Sequence, residues 1–154
     1  MDEHEDCECA YCKDRGAPFK AAEWEAKALM EYGFYMHYVI DHDDSTPSGF
    51  NAHTHGLDLF GGFDFQITLP LKQEIAAAIF HTFADWVKGG RKFSDGDIID
   101  NVLSGGFKCR LFRAEECDRP VLRIILPDPN GKFMPSDMNK KYRQAQYGDL
   151  SSDE

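Results

Sequence analysis

The run from Phe63 to Lys88 constrains this chain more than any other. Phe63, Phe65, Ile67 and Leu69 alternate with Asp64, Gln66 and Thr68, the two-residue period of a strand with one apolar face and one partly wet face. Pro70 ends the strand. Ile75, Ile79, Phe83, Trp86 and Val87 then recur at helical spacing, with Ala76 and Phe80 widening the stripe. Lys88 suits the negative end of a helix over about 71–88, and Gly89-Gly90 is its natural stop. A one-faced strand followed by a one-striped helix buries both by laying the helix on a sheet, which predicts an α+β fold.

The rest of the chain supplies the sheet. Phe34 to Asp41 reads as a strand with Phe34, Met36, Tyr38 and Ile40 on one side and Tyr35, His37 and Val39 on the other. Phe50 to His55 reads as a short strand with Asn51, His53 and His55 on one face. Strands over 107–114 and 121–126 flank the charged segment Glu115–Pro120 and predict an antiparallel hairpin, with Glu115-Glu116 as a solvated turn. A short helix is expected over 97–103, and Trp24, Ala28 and Tyr32 predict an N-terminal helix over 20–32 that Gly33 ends. The expected architecture is a mostly antiparallel sheet of about five strands, the long helix on one face and the shorter helix before it. The expected organisation is an acidic Cys-rich head (1–18), either metal-binding or disordered, one α+β domain (19–135) and a polar tail (136–154).

Composition narrows the function classes. The 154 residues suit one domain with a core of its own, and 42% hydrophobic with 13% aromatic residues argues against disorder. A net charge of -10 argues against a nucleic-acid surface and suits a basic protein partner. No apolar run approaches the roughly 20 residues of a membrane span, and the acidic start lacks the apolar core of a signal peptide. Five cysteines without framework spacing fit a reducing cytoplasm. Nothing in the sequence specifies an oligomeric state.

Two clusters offer metal chemistry. In the head, His4, Cys7, Cys9 and Cys12 lie within nine positions, and three thiolates can wrap one zinc ion. The competing reading is an acidic tail with incidental thiols. On the second strand, His53 and His55 point the same way, so two imidazoles can reach one ion. His37, His42 or Asp41 can supply a third ligand, and an open fourth position would activate water. The competing reading is a pair of partly exposed, hydrogen-bonded strand residues. Cys109 reads as a core residue, Cys117 as an exposed loop thiol, and His81 as a surface partner of Asp85. The sequence holds neither a nucleophile elbow nor a phosphate loop.

Several segments stand in a telling order: Ala52-His53-Thr54-His55-Gly56-Leu57, Thr68-Leu69-Pro70, Trp86-Val87-Lys88-Gly89-Gly90-Arg91-Lys92-Phe93, Leu126-Pro127-Asp128-Pro129-Asn130-Gly131-Lys132-Phe133-Met134-Pro135 and Arg143-Gln144. Through them the chain resembles, over about 33–143, a bacterial family known only as domain of unknown function 4262. The resemblance implies a small cytoplasmic α+β domain and carries no activity. Family members commonly read Tyr-Thr-Ile/Val-Gly-Leu where this chain has His53-Thr54-His55-Gly56-Leu57. The expected function is a non-enzymatic binding or regulatory module with a structural zinc in the head. The alternative is a metal-dependent hydrolase centred on His53 and His55.

Overall fold

The computed structural model describes residues 27, 32–39, 46–116 and 118–148. Of the helix expected over 20–32 only Lys27 and Tyr32 fall within them, both helical. The head with His4, Cys7, Cys9 and Cys12, the alternative ligands Asp41 and His42, and Cys117 lie outside the described residues.

The chain is α+β, with β1 (Tyr35–Val39), β2 (Asn51–His55), β3 (Asp64–Ile67), α1 (Gln73–Lys88), β4 (Ile98–Ile99), β5 (Cys109–Glu116), β6 (Arg119–Ile125) and α2 (Lys140–Tyr147). Among the described residues the sheet has six strands rather than about five, in the order β1-β2-β3-β6-β5-β4. It is mixed. Two antiparallel halves, β1-β2-β3 and β6-β5-β4, meet along a parallel pairing of β3 with β6. Sequence periodicity fixes which side each residue faces and not the direction of its neighbour, so the parallel pairing is a correction to the antiparallel expectation.

Two further differences concern short elements. The helix expected over 97–103 is instead a two-residue edge strand, Ile98–Ile99, paired with Cys109 and Arg110. The polar tail holds α2, whose first turn is capped by the Asn139 side chain accepting from Lys141 N. The hairpin between β5 and β6 formed as expected but with a tighter turn, and Asp118 takes the left-handed φ of 66° that a short hairpin turn requires.

Alternation along the strands gives each face its role. Ala52, Phe65, Ile67, Leu111, Leu122 and Ile124 face α1 and bury against Ala76, Ile79, Phe80, Phe83, Ala84 and Val87. This is the expected core, with Cys109 fully buried in it. The opposite face is covered too. α2 packs there with Ile125, Met138 and Tyr147, and Thr68 Oγ1 donates to Ala145 O at 2.8 Å. Asp64, Gln66 and Thr68, expected to be partly wet, are therefore 0–1% exposed. The Leu126–Pro135 segment is fixed by Asp128, whose carboxylate accepts from the backbone N–H groups of Asn130, Lys132 and Asn139. Among the described residues, no helix is long and apolar enough to cross a membrane.

Candidate metal centre

The polar face of β1 and β2 carries the site. Antiparallel register sets His37 opposite His53 and Tyr35 opposite His55, and directly opposed residues share a face. His53 and His55 share it as well, being two positions apart. Three imidazoles therefore converge, with ring centroids 5.3 Å (His37–His53), 4.8 Å (His37–His55) and 5.0 Å (His53–His55) apart. One nitrogen from each lies within 4.8 Å of the other two. A tetrahedral zinc with bonds of about 2.0–2.1 Å holds its ligand nitrogens about 3.3 Å apart, so the rings need to close by about 1.5 Å at most. Side-chain rotation supplies a movement of that size. Tyr35 stacks on His55 at 5.1 Å and closes one flank.

All three histidines are buried, with 5%, 0% and 7% of their surface exposed for His37, His53 and His55. This corrects the expectation of partly exposed strand residues. Burial, with the Arg119 charge as a second cause, lowers the His37 pKa to about 3. His37 is then neutral at physiological pH, the form in which imidazole ligates a metal.

An ion-pair network sits beside the rings. Arg119 places Nε 2.9 Å from Glu116 Oε1, Nη1 2.9 Å from Asp64 Oδ2, and Nη2 2.6 Å from Thr54 O. Asp64 Oδ1 also accepts from Thr54 Oγ1 and Leu57 N. Burial pushes the Asp64 carboxyl above its usual range while Arg119 opposes that shift. The close guanidinium and the two further donors favour its ionised form. Burial likewise works against the Arg119 charge, but Glu116 and Asp64 outweigh it and hold its pKa above the ordinary value. The other oxygen of Glu116, Oε2, lies 3.5 Å from His53 Nε2. Glu116 is thus 1% exposed and belongs to the site, against the reading of Glu115-Glu116 as a solvated turn.

A second polar chain reaches His53 from the other side. Arg123 Nε donates to Gln66 Oε1 at 2.8 Å, Gln66 Nε2 donates to Asn51 Oδ1 at 3.1 Å, and His53 Nδ1 lies 3.0 Å from the same oxygen. Arg123 Nη1 also donates to Gln146 O of α2.

Of the sequence candidates, the fold brings together His37, His53 and His55. His81 is exposed on α1, edge-on to Tyr32 and Phe34. The residues that sequence reasoning missed are Asn51, Asp64, Gln66, Arg119 and Arg123. Their signal was present as polar side chains at alternate positions of β2, β3 and β6, on the same face as the histidines. Two surface cavities, of about 380 Å³ beside Leu71 and Phe107 and about 230 Å³ beside Phe60 and Arg91, share no lining residue with the cluster.

No family model, curated protein or solved structure matches the chain.

Proposed function

We propose that this protein is a metal-binding module that holds one divalent transition-metal ion, zinc by preference, on His37, His53 and His55 in a structural or regulatory capacity. The observation that carries the reading is the convergence of three buried imidazoles on one sheet face. Imidazole nitrogens suit zinc and its first-row neighbours. An ion at a face with at most 7% exposure is shielded from substrates, which favours a binding role over turnover. Bound to the native state alone, the ion would add about 2.7 kcal/mol of stability at a hundredfold excess over Kd. The acidic surface suits a basic protein partner, and the cysteine head is a second, separate metal site in the same proposal.

The experiment is metal quantification on protein purified under reducing conditions, followed by titration with Zn²⁺ and Co²⁺. The wild type is expected to hold one equivalent at the histidine site, and His55→Ala to lose it. A Cys7/Cys9/Cys12→Ser variant is expected to keep that equivalent and to lose any bound at the head. A wild type that carries no metal and binds neither ion would end the proposal.

A second reading, metal-dependent hydrolysis, is favoured by the Glu116 carboxylate beside His53. Three protein ligands leave a fourth position for water, and a neighbouring carboxylate can take its proton. Ester hydrolysis by the zinc-loaded protein that falls at least a hundredfold in Glu116→Gln would support it. Equal rates in both proteins would exclude it.

A further inference from the structure

We propose that Arg123, Gln66 and Asn51 form a buried positioning relay that sets the tautomer of His53, leaving its Nε2 as the nitrogen that ligates the metal. The inference rests on the metal reading for its consequence, but not for its first test.

Each link allows one orientation. A guanidinium only donates, so the Gln66 atom 2.8 Å from Arg123 Nε is the carbonyl oxygen. The amide nitrogen of Gln66 then faces Asn51 and donates, so the Asn51 atom that receives it is Oδ1. That oxygen only accepts, so His53 Nδ1, 3.0 Å away, carries a hydrogen. In the neutral ring that is the one N–H, and the lone pair is then on Nε2, the nitrogen 3.5 Å from Glu116 Oε2. The chain begins at a residue that cannot change role and ends at the ligand. It is buried throughout, with Gln66, Asn51 and His53 at 0% and Arg123 at 6% exposure, so water has little access to reverse a link. Partners of this kind commonly fix ring orientation at metal sites, and their loss costs about 10–100-fold in affinity.

Two near-isosteric substitutions, each adding one negative charge, separate the relay from simple electrostatics. In Asn51→Asp the new carboxylate still accepts from both Gln66 and His53, so Nδ1–H is kept and Zn²⁺ binding holds or tightens. In Gln66→Glu the carboxylate pairs with Arg123 and can only accept from Asn51. The Asn51 amide must turn over, present Nδ2 to His53 Nδ1, and drive the ring to Nε2–H. Added charge alone would strengthen cation binding in both variants, whereas the relay predicts opposite signs.

The readout is ¹⁵N NMR of the imidazole nitrogens in metal-free protein, alongside Zn²⁺ titration. The wild type is expected to show His53 as Nδ1–H, Asn51→Asp to retain it, and Gln66→Glu to show Nε2–H with affinity lowered 10–100-fold. If Gln66→Glu does not fold, Gln66→Met removes the amide without reversing it and is expected to show both tautomers. Wild-type His53 as Nε2–H, or an unchanged His53 spectrum in the Gln66 variant, overturns the relay. Failure of the wild type to bind Zn²⁺ or Co²⁺ overturns the metal reading instead, and the spectra still decide the relay.

Discussion

Replacing Arg119 with methionine tests the ion-pair network most directly. The guanidinium serves three acceptors, Glu116, Asp64 and Thr54 O, and both carboxylates are 1% exposed. Methionine keeps much of the volume and removes the charge, so two buried carboxylates lose their cation together. Breaking a buried pair by removing one partner costs about 3–5 kcal/mol. At this chain length each kcal/mol moves Tm by about 2–4 °C, so a fall of roughly 6–20 °C at pH 7 is expected. The pH dependence carries the sign. Burial already raises the folded-state pKa of Asp64 above its unfolded value near 4 while Arg119 opposes the shift, so removing Arg119 raises it further. A carboxyl raised in this way stabilises the fold while protonated and loses that contribution as pH rises through its folded value. The gap between variant and wild type is therefore expected to narrow as pH falls from 7 towards 4. Urea melts followed by circular dichroism at pH 7, 6 and 5 measure it. A loss under about 1 kcal/mol at pH 7, the range of exposed pairs, or a gap constant with pH, would refute the reasoning.

Two further outcomes follow from buried titratable groups. His37, lowered to about 3 mainly by burial, makes the metal-free fold acid-sensitive. Its contribution is complete above the unfolded value near 6.5 and falls by up to about 1.4 kcal/mol per pH unit between 6.5 and 3; denaturant melts of wild type and His37→Gln across that window are expected to converge on acidification. Cys109 is fully buried and its thiol is pushed up to about 12 by burial, so peptide-resolved alkylation at pH 8 is expected to spare it in native protein and to label it in urea.

Much of this fold is written locally. The alternation from Phe63 and the stripe from Ile75 to Val87 were readable because strand and helix periods are properties of neighbouring residues. The same holds for the shared face of His53 and His55, and for Cys109 in the core. The third histidine of the cluster was harder to single out, since Asp41 and His42, which lie outside the described residues, stood beside it as candidates. Only the register that sets His37 against His53 selects it, and a register is a relation between strands. The polar face misled for a related reason. Asp64, Gln66 and Thr68 alternate with apolar residues as a solvated face would, and only the covering layer, to which α2 contributes, reverses the reading. Glu116 fell among the charges of a hairpin loop, and its burial depends on Arg119 reaching Asp64 from 55 positions away.

The parallel join between β3 and β6 has a consequence for when the site comes into being. The β5–β6 partners are joined across residues 117–118 and the β1–β2 partners across residues 40–50, but Gln66 and Arg123 meet across 57 positions. Closing a loop of that length costs about 2 kcal/mol more chain entropy than closing one of about four residues, so this contact belongs among the late events of folding. The hydrogen bond that begins the orientation of His53 crosses that join. A nascent chain holding only β1, β2 and β3 has all three histidines but lacks the arginine that sets one of them. At the proposed metal site, capture of the ion in its final geometry would await docking of the two halves, which would make metal retention a readout of completed assembly.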